Sequence, residues 1–145
     1  MTDPEDISHW LRLDARLTTS GQPSEAQLPA LKALGVETII NLALHSHERA
    51  LPDEAASAAA LGMAYIHIPV PFDAPDNGHF NAFCAAMAAI SGQTVHVHCI
   101  VNMRVSAFLY RYRRDVLGMD EVLARAAMEQ VWSPEGVWAG FVAER

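Results

Sequence analysis

Three short runs of β-branched and aromatic residues, separated by stretches of helical character, restrict the fold of this chain more than any other feature. They are Thr38-Ile39-Ile40-Asn41-Leu42, Ala64-Tyr65-Ile66-His67-Ile68-Pro69-Val70 and Thr94-Val95-His96-Val97-His98-Cys99. Gly or Pro bounds each run, and each reads as a strand. Ser24-Glu25-Ala26-Gln27 has the Ser-x-x-Gln form of a capping box and leads into Leu28 to Leu34, closed by Gly35. Pro29 sits just beyond the first turn, so this helix starts late or bends there. Asp53 to Leu61 ends at Gly62, and Phe80 to Ile90 ends near Gly92, both in helix-then-Gly form. From Arg104 to Leu117 the residues Val105, Phe108, Leu109, Tyr112 and Val116 recur at helical spacing, giving one apolar face to pack on a sheet. Gly118 stops that helix, another runs from about Asp120 to Val131, and Ser133-Pro134 opens a last short one toward Phe141.

Strands alternating with helices imply an α/β fold with a central, mainly parallel sheet flanked by helices. With 145 residues, no internal repeat and no flexible linker, residues 1–145 form a single domain. In such folds ligands bind outside the carboxyl ends of the strands, which directs attention to the segment after Val97.

Charge narrows the partners. Ten Lys+Arg stand against 17 Asp+Glu, a formal charge of -7, which disfavours nucleic acid and anionic membranes as partners. A small, local anion site remains compatible with that balance. No apolar run approaches the roughly 18 residues of a membrane span, and the start, Met1-Thr2-Asp3-Pro4-Glu5-Asp6, is acidic where a secretory signal is basic. The expectation is a soluble, cytoplasmic protein. Oligomeric state leaves no mark in the sequence. Cys84 and Cys99 are too few for a disulfide framework. Cys84 lies among Phe80, Phe83, Met87 and Ile90 and reads as a core residue, a reversible disulfide with Cys99 being the alternative.

Cys99 stands differently. Residues 94–106 read as a buried strand, then His98-Cys99, a short loop through Ile100, Val101, Asn102 and Met103, and a helix opening near Asn102 to Arg104. A cysteine at that junction meets inward-turned backbone N–H groups and the positive end of a helix dipole, both of which favour the nucleophilic thiolate. The same N–H groups suit a tetrahedral oxyanion, with Arg104 as a two-pronged clamp on its oxygens. Ser106 is a candidate donor to the sulfur, and His98 is a candidate to bond backbone near Cys99 and hold the loop's shape. No carboxylate or second ligand pair at metal-site spacing accompanies the histidines.

His98, Cys99, Arg104 and Ser106 resemble the signature of cysteine-dependent phosphatases of the tyrosine and dual-specificity type, which is His-Cys, five residues, Arg, then Ser or Thr. Here four residues separate Cys99 from Arg104, and Val105 occupies the usual Arg position. Asn102 stands where the family has its central loop Gly, and Asn is the residue type that next best tolerates a left-handed backbone. Ser20-Gly21-Gln22-Pro23-Ser24, Asn41-Leu42, Ile68-Pro69-Val70 and the short Cys-to-Arg loop together resemble a bacterial phosphatase-like branch over residues 20–115.

The resemblance implies a compact dual-specificity-phosphatase-like domain that hydrolyses phosphate monoesters through a cysteinyl-phosphate, with no metal or cofactor. Its substrate would be a phosphorylated protein or a small phosphorylated molecule. Cys99 would be the nucleophile. Arg104, with His98, Ile100, Val101, Asn102, Met103 and Ser106, would form the substrate-binding loop. The family's general acid is an Asp in a loop before the Cys, following a strand of the Ile68-Pro69-Val70 kind. Asp73, 26 residues before Cys99, is the better match, and Asp76, 23 before it, is the other candidate. Two alternatives stay open: a phosphate-binding domain impaired in catalysis by the shortened loop, and a rhodanese-like sulfurtransferase using Cys99.

Overall fold

A computed structural model describes residues 2–145. Five strands form one sheet: β1 (Leu11–Asp14), β2 (Leu17–Ser20), β3 (Thr38–Asn41), β4 (Ala64–His67) and β5 (Val95–His98), in the order β1-β2-β5-β3-β4. β1 pairs antiparallel with β2 as an edge hairpin, and all other pairings are parallel. The mainly parallel α/β sheet expected from the alternation is therefore present. β5 lies at its centre, with Ser20 of β2 and Asn41 of β3 both in register with His98. Three loops thus leave the sheet side by side at its carboxyl end.

The hairpin is absent from the sequence reading. Its strands carry Arg12, Asp14, Thr18, Thr19 and Ser20, which lack the apolar alternation of a strand, yet every residue of β2 is buried. Neighbouring polar groups make that burial affordable: the His96 ring lies between Thr18 Oγ1 (2.8 Å from Nδ1) and Ser20 Oγ (2.8 Å from Nε2).

Helices cover both faces. α1 (Leu28–Ala33) and α2 (Glu54–Ala60) pack Leu28, Leu31 and Ala58 against Ile39 on one face. On the other, α3 (Asn77–Ala89), α4 (Met103–Arg111) and α6 (Val137–Ala143) pack Phe83, Phe108, Trp138 and Phe141 against Ile40, Val95 and Val97. Ile39 and Ile40 point to opposite clusters, as the two-residue period of a strand requires. α5 (Glu121–Glu129) packs Ala124 and Met128 near Tyr110 of α4.

Several boundaries move. α1 begins at Leu28 after a 3₁₀ turn over Glu25–Gln27, with Ser24 N donating to Gln27 Oε1 at 2.9 Å. Pro29 therefore falls in the first turn, where its missing N–H costs nothing. α3 begins at Asn77 rather than Phe80, because Asp76 Oδ1 accepts from His79 N at 2.9 Å and caps the helix earlier. α4 continues as one π turn over Tyr112–Val116, and α6 starts at Val137, after Ser133-Pro134. No helix among the described residues is long and apolar enough to cross a membrane.

Candidate active site

Cys99 follows the central strand and is fully buried. The chain then bends through Ile100 and Val101 to Asn102, whose φ of 67° lies in the left-handed region. Asn tolerates this conformation better than other non-glycine residues, and the Asn102 side-chain amide is held by distant parts of the chain, donating to His9 O at 2.9 Å and Thr19 Oγ1 at 3.0 Å. The loop's other wall comes from β2. Gln22 N donates to Ile100 O at 3.0 Å, and Gly21 leaves no room for a side chain, since a Cβ there would stand 2.3 Å from Ile100 O.

This path leaves donors over. Among the described residues, the backbone N–H groups of Ile100, Val101, Asn102, Met103 and Arg104 reach no acceptor in the protein. Consecutive free N–H groups at a helix start form a concave anion cradle. Arg104, in the first turn of α4, is 7% exposed and uses one of its N–H groups on Val70 O, at 2.9 Å. Its Nε is buried without a partner. A guanidinium has five N–H donors in a planar fork, so most of Arg104's capacity is uncommitted, in a place where an unmet donor is costly.

A cleft of about 540 Å³ opens over the loop. Ile100, Val101, Met103 and Arg104 line one side, and His47 and Arg49 from the β3–α2 loop line another. Phe72, from the loop after β4, also borders it, with the Arg104 guanidinium 5.8 Å from its ring centroid. Trp138 holds that loop, its indole N–H donating to Phe72 O at 2.6 Å.

Asp73 follows Phe72, is exposed, and accepts no hydrogen bond among the described residues. Asp76 is the α3 cap. Ser106 does not serve the sulfur: its hydroxyl donates to Met103 O and accepts the Trp132 indole N–H, each at 2.9 Å, and no hydrogen bond from it reaches Cys99 Sγ. His98 is buried below the loop with Nδ1 3.0 Å from Cys99 O.

Sequence reasoning missed Glu54. This buried carboxylate in the first turn of α2 lies 2.6 Å from His98 Nε2 and accepts from Gln22 Nε2 at 3.1 Å. Burial raises its pKa, but the His98 and Gln22 hydrogen bonds outweigh that and hold it below the usual carboxylate value. An acid in a first helical turn reads from sequence only as a partner for the helix dipole. Nothing in the spacing of residues 54 and 98 announces the contact. No cluster of three or more His, Cys, Asp and Glu placed to hold a metal occurs among the described residues.

A family model described as "DSP-PTPase phosphatase fused to NAD+ Kinase" matches residues 2–137. The chain belongs to this family. It is accordingly a phosphatase-type domain of the tyrosine and dual-specificity superfamily. A crystal structure of a candidate phosphatase of the DUF442 group from Shewanella putrefaciens CN-32 superposes with a TM-score of 0.85 at 31% identity, over 96% of this chain and 91% of that one. P. aeruginosa TpbA in complex with pTyr shares the fold, with a TM-score of 0.67 at 22% identity over 92% of this chain and 74% of that one. A "Beta-lactamase hydrolase-like protein" of Agrobacterium fabrum is 37% identical over 92 residues, which are 61% of this chain. This family member spans only 21% of the length of that relative.

Proposed function

We propose that the protein hydrolyses phosphate monoesters through a cysteinyl-phosphate on Cys99. The observation that carries this reading is the pairing of a buried, mostly uncommitted Arg104 guanidinium with a run of free loop N–H groups. Apart from the one Arg104 N–H given to Val70 O, these donors meet no acceptor in the protein, and donors of this kind suit an oxyanion. The Cys99 thiolate attacks phosphorus, an S–P bond forms, and the P–O bond to the leaving group breaks as Asp73 gives that oxygen its proton. Asp73, now a carboxylate, takes a proton from water. The water oxygen attacks phosphorus, the S–P bond breaks, and phosphate leaves with the thiolate restored. Ile100, Val101, Asn102 and Met103 contribute backbone donors, and His98 supports Cys99 from below. The substrate is a phosphorylated protein or a small phosphorylated molecule. The complex of TpbA with pTyr supports the first, and an open cleft bordered by Phe72, His47 and Arg49 is compatible with both.

A second reading, phosphate binding without turnover, is favoured by the exposure of Asp73 and its lack of any hydrogen bond among the described residues. Hydrolysis of an aryl phosphate decides between them. Cys99→Ser is expected to abolish turnover, and Asp73→Asn to slow it by about 10² to 10⁴. An Asp73→Asn rate equal to the parent's would move the acid elsewhere, and parent-like turnover by Cys99→Ser would end the covalent mechanism.

A further inference from the structure

His96 and His98 sit two residues apart on β5, both fully buried, with ring centroids 6.3 Å apart, yet their partners demand different protonation. Ser20 Oγ donates its single proton to Gly21 O at 2.7 Å, so toward His96 Nε2 it can only accept. Nε2 therefore carries a hydrogen, and the Thr18 hydroxyl is free to donate to Nδ1, as it does when His96 is neutral. Burial acts the same way, pushing the His96 pKa well below its ordinary value, and the nearby His98 adds to the effect.

His98 has acceptors on both sides. Nδ1 faces the Cys99 carbonyl at 3.0 Å and Nε2 faces the Glu54 carboxylate at 2.6 Å. A carbonyl and an ionised carboxylate offer no proton, so both ring nitrogens must carry one. We propose that Glu54 is a positioning residue that keeps His98 as a buried imidazolium, fixing a positive charge and the Cys99 carbonyl directly beneath the anion loop.

The surrounding groups leave His98 that part. Glu54 has no arginine or lysine partner among the described residues. Tyr65, on β4, is pushed up to about 12 by burial and the Glu54 charge, against the pull of Asn41, and stays neutral. His67, also on β4, is lowered, chiefly by burial. His45, from the β3–α2 loop, stacks on His67 at 3.6 Å between centroids and acts on Glu54 through space only. The Glu54–His98 pair is neutral as a unit, but its positive end is the one against Cys99. The loop gains a local positive potential without adding a basic residue to the surface of a protein of charge -7. The Nδ1–H bond also holds the Cys99 carbonyl, so that this oxygen does not swing toward the ring of N–H groups.

The catalytic consequence rests on the phosphatase reading above, but the protonation state does not. Nitrogen-15 NMR of the parent protein at pH 7 is expected to show two ring N–H groups on His98 and one on His96. A bare nitrogen on His98 overturns the proposal whatever the variants do. Glu54→Gln removes the charge while its amide can still donate to a bare Nε2, so it tests the charge apart from the hydrogen bonds. It should leave His98 with one N–H, weaken inorganic phosphate binding, and lower kcat/KM toward an aryl phosphate about ten- to a hundredfold. Its pH profile should differ from the parent's. A carboxylate of merely structural use would lower the unfolding midpoint and leave the His98 proton count and the pH profile as in the parent, and that result also overturns the proposal. If the parent hydrolyses no phosphate ester, the reading above fails while ring protonation and phosphate affinity still decide this one.

Discussion

A Cβ added to Gly21 would stand 2.3 Å from Ile100 O and 2.6 Å from Ser8 Oγ, so one methyl group there cannot be absorbed without moving backbone. Gly21 N donates to Ser8 O at 2.8 Å and Gln22 N to Ile100 O at 3.0 Å, which ties the displaced atom to the loop itself. If the Ile100 carbonyl turns, the N–H of Val101 turns with it, because they share one peptide plane. Gly21→Ala is therefore expected to lower kcat/KM toward an aryl phosphate by about a hundredfold, the usual scale for a misplacement near 1 Å, with the circular dichroism spectrum unchanged. A parent-like rate would show that the loop does not depend on this contact. Residue by residue, what the sequence made legible was local. Asn102 could be read as left-handed because that demand is met within one residue, and the His98-Cys99 pair because its spacing is short. Glu54 could not, since its partner lies 44 residues away on another element and only the packing of α2 beside β5 brings them together.

Among elements, the β1–β2 hairpin was illegible for the same reason: Thr18, Thr19 and Ser20 are buried by their neighbours, not by their own hydrophobicity. The first helix start was legible because Ser24 and Gln27 lie within one turn, whereas the start at Asn77 was not, since Asp76 reads equally as a loop acid until its contact with His79 is seen. Basic residues near the end of a helix ordinarily serve as exposed cations at its negative pole. Instead Arg111 is buried with its guanidinium 4.1 Å from the Phe80 ring centroid and 4.6 Å from that of Phe141. Arg114 clasps the end of α6, donating to Val142 O at 2.9 Å and to Glu144 O, with Asp115 and Tyr110 around it. Arg114→Ala leaves those carbonyls and a buried hydroxyl short of a donor, and should cost about 2–3 kcal/mol in urea denaturation. The exposed Arg125–Glu121 pair on α5 makes the contrast, and Arg125→Ala should leave the midpoint where it is. Equal effects of the two changes would refute the assignment of Arg114 as a clasp. Because Trp138 of α6 also holds the Phe72 carbonyl, loosening α6 should slow an aryl phosphate reaction as well.

For the whole molecule, pH sets two opposing effects against each other. Acidification relieves the self-repulsion of a chain with charge -7, but that repulsion is spread over a surface where salt screens it within about 8 Å. Buried groups escape the screening. His67 and His96 have pKa values depressed by burial, so between the ordinary histidine value of about 6.5 and their folded values the unfolded chain binds more protons, and stability falls as pH falls. Glu54, Asp3 and Asp115 are also depressed, through hydrogen bonds from His98, Arg12 and Arg114 that outweigh desolvation. Their contribution is complete above the ordinary carboxylate value, about 4, and is lost as pH drops through the folded values. Both sets act in one direction, but Asp115 is exposed and Asp3 only partly covered, so solvent and salt weaken their share and Glu54 with the two histidines carries most of the effect. The unfolding free energy should therefore decline below pH ~6.5 as His67 and His96 titrate, and decline again below pH ~4.5. Urea denaturation at a series of pH values measures this directly, and equal stability at pH 6.5 and pH 5 would mean that His67 and His96 are not held neutral in the fold. In the Glu54→Gln variant the lower decline should shrink by the part that Glu54 contributes.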